Sequence, residues 1–235
     1  MKYKLTATIL LCMALMLTGV LASSSGGGSS MPRMDRPTKS PQEQAADLYN
    51  RGLKARDKAW KHEAKAEEIT NNEKKRQKEL AKAHKQFKNA AKNYRAAIKK
   101  VRGFYQAYSS LGYALRRSAF YEQAPDQRAK GYEESLQAYD RALSLQPDYA
   151  QAIEYRGEAY LGLDRVDDAK KSYLALFRLD RGEAAKLLKA MNEWVESKRK
   201  DNSLDEATLE SVAKWIAERE EISQQTGAAS QGGGW

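Results

Sequence analysis

From about residue 41 onward, apolar residues recur every three to four positions, and no stretch alternates apolar and polar in the manner of a strand. Leu80, His84, Phe87, Ala91, Tyr94, Ile98 and Val101 keep a strict four–three alternation. That spacing holds one seam toward a partner helix, either as antiparallel packing within the chain or as a dimeric coiled coil. Before it, Leu48, Gly52, Ala55 and Ala59 form a stripe that persists to about Ile69, with Tyr49, Leu53 and Trp60 beside it. The pattern predicts an all-α protein.

Start and stop signals divide the helical pattern. Ser40-Pro41-Gln42-Glu43 reads as a capped start, with Pro41 where its missing N–H costs nothing. Asn71-Asn72 supplies a turn. Pro147 ends a helix near Gln146, and Leu163-Asp164 marks another turn. Two later amphipathic segments follow: Leu187, Leu188, Met191, Trp194 and Val195, then Leu204, Leu209, Val212, Trp215 and Ile216. The second is entered through an expected capping box, Ser203-x2-Glu206.

One spacing occurs in three copies. Tyr108-x2-Leu111-Gly112-x2-Leu115 is followed by Ser135-x3-Tyr139-x2-Ala142-x4-Pro147. Ile153-x2-Arg156-Gly157-x2-Tyr160 is followed by Ala169-x3-Tyr173-x2-Leu176, and a weaker copy runs from Leu48-x2-Arg51-Gly52-x2-Ala55 to Ala90-x3-Tyr94-x2-Ala97. The pattern resembles the tetratricopeptide repeat, a pair of antiparallel helices of about 34 residues, over Pro41 to Asp180. The resemblance implies a short helical-hairpin solenoid of the tetratricopeptide type, whose first helices line a concave surface for another protein.

Carried onto this chain by register, that surface would comprise Tyr49, Asn50 and Leu53 in the first repeat. It would continue with Gln106, Ser109, Tyr113, Arg116 and Arg117, then Gln151, Glu154, Glu158 and Leu161. The family's peptide clamp holds a terminal carboxylate with Lys and Asn, and only Asn50 matches it here. Arg116 and Arg117 opposite Glu154 and Glu158 leave two readings: a mixed-charge peptide site, or pairing between neighbouring helices.

Two intervals depart from a plain repeat. Gly52 and Gly112 lie 60 residues apart, about 26 more than one unit. Divided between two helices, the surplus predicts an arm projecting roughly 20 Å beyond its neighbours. Gly112 and Gly157 lie 45 apart; Pro125, Asp126 and Gly131 predict that this smaller surplus is an exposed, Tyr-bearing loop holding one helical turn.

The expected organisation is therefore a signal peptide at 1–22, a flexible linker at 23–40 and an elongated hairpin at 41–104. A repeat with an insertion follows at 105–149, then a repeat at 150–181, capping helices at 182–223 and a disordered tail at 224–235. Lys2 and Lys4 precede an apolar run from Leu5 to Leu21 that ends in the small residue Ala22, the pattern of a cleaved export signal. An uncleaved anchoring helix is the alternative. Either way the expected compartment is the bacterial envelope: periplasmic or secreted, or held at the membrane. The single cysteine, Cys12, lies inside the apolar run, which leaves no thiol for disulfide, metal or catalytic chemistry in the rest of the chain.

No cofactor, metal site or catalytic constellation is expected. The two histidines, His62 and His84, fall on opposite helices of the long hairpin and need a further ligand to hold zinc. Asp164, Asp167 and Asp168 lack calcium-loop spacing, and no phosphate-binding loop occurs. Charge is more telling. Residues 51–102 hold 18 Lys+Arg against 6 Asp+Glu, a net +12, whereas the whole chain carries +10. Lys74, Lys75, Arg76, Lys78, Lys82 and Lys85 would draw an anionic surface. Two expectations result. One is a non-enzymatic scaffold that binds a protein or peptide in the groove. The other is an envelope-associated protein docking on anionic lipid or lipopolysaccharide through the basic hairpin, with no nucleic-acid partner expected.

Overall fold

Eight α-helices account for the regular structure of residues 39–231, the span that the computed structural model describes. The expected signal peptide, the expected linker as far as Thr38 and the last four residues lie outside the described residues. In chain order the helices are α1 (Pro41–Glu67), α2 (Glu73–Lys100), α3 (Tyr105–Phe120), α4 (Pro125–Leu145), α5 (Ala150–Leu161), α6 (Val166–Leu179), α7 (Arg181–Asp201) and α8 (Glu206–Gln231). Each packs on the next in sequence, and α3 also meets α5 as α5 meets α7. The result is an all-α, solenoid-like stack of helical hairpins.

The local signals explain most boundaries. Ser40 and Glu43 close a reciprocal capping box, with Pro41 at the first turn. The Asn72 side chain accepts from the Lys75 amide and starts α2. Asp164 takes a left-handed backbone (φ 57°) in the turn between α5 and α6. Asp180 accepts from the Gly182 and Glu183 amides at the head of α7.

The repeated glycines mark where helices come closest. A Cβ on Gly52 would fall within 3.0 Å of the Tyr94 ring, and one on Gly112 within 3.0 Å of the Tyr139 ring. Tyr94 and Tyr139 are fully buried, so neither ring has space to yield. The third copy differs: Gly157 abuts Leu187 of α7, while Tyr173 packs on Phe177 and Trp215.

The core changes character along the stack. Around α1 and α2 it is chiefly alanine with Tyr94 and Phe87: Ala55, Ala59, Ala83, Ala90 and Ala91 line the contact. Around α5 to α8 it is built from Ile153, Leu176, Leu187, Leu188, Met191, Trp194, Val195, Leu209, Val212 and Ile216.

Four expectations need correction. Pro125 does not open a loop; it begins α4, and Gly131 lies inside that helix, where its missing Cβ lets Ala119 approach. Proline is compatible with a first helical turn, so the surplus lengthens α4 to 21 residues. Tyr121 consequently packs on Phe87 and bonds Glu63 instead of lying exposed on a loop tip. The long hairpin projects less than expected, because this same lengthening carries the α3–α4 turn up to Glu63 on α1 and His84 and Lys88 on α2. At α8 the capping acceptor is Asp205, whose Oδ1 takes the Thr208 amide at 2.9 Å, not Ser203. The backbone of α8 also continues to Gln231, past the boundary expected at 223.

Candidate protein-binding face

The first helices of the successive hairpins, α1, α3 and α5, contribute a continuous band of aromatic and amide side chains. Trp60 on α1 donates its indole N–H to the Tyr113 hydroxyl on α3 (2.7 Å), and the rings meet edge to face with centroids 6.1 Å apart. Tyr113 in turn lies 5.0 Å from Tyr155 on α5. The Arg56 guanidinium sits over the Trp60 ring at 4.2 Å, a geometry favoured by the ring's negative face. Arg56, Trp60, Ser109, Ser110, Tyr113, Gln151 and Tyr155 enclose a shallow depression on this band. Trp60 remains 38% exposed.

Amide and hydroxyl groups continue the band. Tyr49 shares a hydrogen bond with Ser110 (3.1 Å) while its ring packs on Tyr94 and Phe104. Gln151 accepts from the Tyr149 hydroxyl (2.8 Å) and donates to that of Tyr155 (3.4 Å). Asn50 is exposed; Leu53 and Gln106 are half-buried.

The charged positions expected in the groove lie beneath this band. Arg116 is 7% exposed and pairs through Nη1 with Glu158 on α5, its guanidinium 5.4 Å from the rings of both Tyr113 and Tyr155. Arg117 points the other way, to Glu63 on α1, which also accepts from the Tyr121 hydroxyl. Two consecutive arginines on α3 thus staple the helices on either side of it. Glu154 is 3% exposed, Ser109 is buried, and Leu161 belongs to the core of the last hairpins. The register that assigned these residues to an open surface fails because neighbouring first helices pack closely enough to cover them. Of the two readings of the Arg–Glu cluster, pairing between neighbouring helices is what forms.

Burial shapes the titration of the cluster. Desolvation, together with the adjacent Glu158 charge, pushes the Glu154 carboxyl up to about 9. Burial raises the Tyr139 and Tyr113 hydroxyls, opposed by Arg116 beside Tyr139 and by Arg117 and Arg116 beside Tyr113.

The histidines do not come together in one site. His62 bonds Glu79 (2.7 Å) across the α1–α2 contact, whereas His84 faces Ser118 (3.1 Å) and Glu122 (3.2 Å) at the α2–α3 contact. Lys82 and His62 hold the Glu79 carboxyl down at about 2, and burial lowers His84. Among the described residues no group of three or more His, Cys, Asp or Glu is placed to hold a metal ion. Nor, among them, is any helix long and apolar enough to cross a membrane.

Of the six basic positions singled out on α2, Lys74, Lys75, Lys78 and Lys85 are exposed, Arg76 pairs with Glu73 and Lys82 with Glu79. Sequence reasoning passed over Arg56, Trp60, Ser110 and Tyr155. The signal for the last was available: Gln151, Tyr155 and Glu158 follow i, i+4, i+7 spacing and share a helix face. Comparison of the chain with protein-family models and with curated proteins gives no match.

Proposed function

We propose that the chain is a non-enzymatic scaffold of the tetratricopeptide type that binds a segment of another protein across the exposed band of α1, α3 and α5. The observation that carries this reading is Trp60, held half-exposed by the Tyr113 hydroxyl and capped by Arg56, with Tyr155 and Gln151 beside it. Rigid aromatic rings with a polar edge give large contact area at small entropic cost, and Trp, Tyr and Arg dominate protein recognition sites. The three copies of the glycine–tyrosine spacing support the family assignment, two of them as glycine-on-tyrosine contacts.

A photo-crosslinking residue placed at Asn50, on α1 beside the band, tests the proposal against one at Lys189 on α7. A discrete set of protein adducts from Asn50, absent from Lys189 and lost on Trp60→Ala, is the expected result. Equal adducts from both positions, or adducts indifferent to Trp60→Ala, would overturn it.

A further inference from the structure

The basic excess of the first hairpin is not spread evenly around it. On α1, Arg51, Lys54, Lys58, Lys61 and Lys65 follow one another at three–four spacing, and all five are exposed. They lie on the arc opposite Gly52, Ala55, Ala59 and Ala66, which are buried against α2, and away from Tyr49, Trp60 and Glu63, which face α3. Asp47, the acidic side chain at the head of this line, is engaged by Lys39 and also attracts Arg51. On α2, Lys78, Lys85, Lys92 and Lys99 are also exposed, but they lie opposite Phe87, Ala90 and Tyr94, which pack toward α1, so this second line points away from the first.

Several cations elsewhere are neutralised within the fold. Arg116, Arg117, Arg156, Arg165, Lys186 and Lys198 each hold a carboxylate. On the two lines named above, no lysine pairs with an acidic group among the described residues. Lys54, Lys58, Lys61 and Lys65, exposed in one line on α1 and without a carboxylate partner among the described residues, mark a surface complementary to dense negative charge.

We propose that this lysine-lined face of α1 docks on an anionic lipid bilayer. Its chemistry fits head groups better than a nucleic acid. The free cations are lysines, and they lie on a helix exterior with no groove between walls. The exposed Trp60 is on another side of α1, so no aromatic ring is offered to a base. Trp60, Phe120, Leu174, Leu179 and Ile222 are the large apolar side chains exposed among the described residues, and none belongs to these lines. Docking is therefore by charge at head-group level, without insertion, and is screened by salt. The apolar run from Leu5 to Leu21 supplies the reason that the chain meets a bilayer at all. The inference does not rest on the α1/α3/α5 band.

The test is co-sedimentation of the full chain with two vesicle types: pure phosphatidylcholine, and equal parts phosphatidylcholine and phosphatidylglycerol. Because the apolar leader would bind both, the quantity read is the excess partitioning into anionic vesicles. That excess is expected to fall at least about tenfold on joint replacement of Lys54, Lys58, Lys61 and Lys65 by glutamine. It should fall comparably at high salt, and remain when the same positions become arginine. All sites are exposed, and circular dichroism reports whether each variant keeps its helix content. Equal partitioning into both vesicle types, or an excess unchanged by the glutamine variant, would overturn the proposal. So would a glutamine-sensitive affinity for duplex DNA with no anionic excess on vesicles.

Discussion

Arg116 on α3 and Glu158 on α5 are 42 positions apart in sequence and form an ion pair beneath two tyrosine rings. The guanidinium is almost fully enclosed, whereas the carboxylate keeps about a quarter of its surface. Removing the carboxylate strands a buried cation, which is costlier than losing both charges. Glu158→Ala is expected to lower unfolding free energy by about 3 kcal/mol, and Arg116→Met with Glu158→Gln by much less. Urea denaturation of the two variants measures the difference.

Glu154 sets a pH dependence. Its carboxyl is raised from 4.5 to about 9 by burial first and Glu158 second, so between those values the folded protein holds a proton that the unfolded chain has released. Stability then falls as pH rises through that window. Glu154→Gln should flatten the decline, with the largest gain at the alkaline end. Thermal melts at pH 5 and pH 9 (about the ends of the window) give the slope for each protein.

Close helix approach was legible in the sequence, as was the capping of α1, because both depend on residue types at fixed short spacing. What was not legible depended on distant partners. Nothing local tells Arg116 to seek α5 and Arg117 to seek α1; the choice follows from the 100° between successive side chains on a helix flanked on both sides. Pro125 carried the same ambiguity. A proline opens a loop or a helix equally well, and the decision came from Ala119 across the contact, where Gly131 admits it. Trp60 was visible as a residue beside the stripe, but its exposure and its bond to Tyr113 are tertiary facts.

The glycine contacts predict a contrast between two positions of identical residue type. Gly112→Ala forces a methyl group into the Tyr139 ring and is expected to cost about 1–3 kcal/mol. Gly103→Ala meets nothing within 4 Å and should be neutral or stabilising by up to about 1 kcal/mol. Chemical denaturation of both variants checks the pair.

Trp60→Ala separates binding from folding. The side chain is more than a third exposed and bonds one hydroxyl, so its loss should cost about 1 kcal/mol or less of stability. A larger shift in the denaturation midpoint would place Trp60 in the fold's support and not on its working surface.

The change from an alanine-lined core at one end to a leucine-, methionine- and tryptophan-rich core at the other gives the stack a direction. Each alanine removes little apolar area from water, whereas each large side chain removes several times more. In a stack where hairpins lean mainly on their neighbours, opening begins where the local contribution is smallest and travels inward. Amide exchange would therefore be fastest in α1 and α2 and slowest in α7. The hairpin that bears the free lysines is also the one the molecule can release first, keeping α5 to α8 folded as an anchor while the charged end rearranges on whatever it meets.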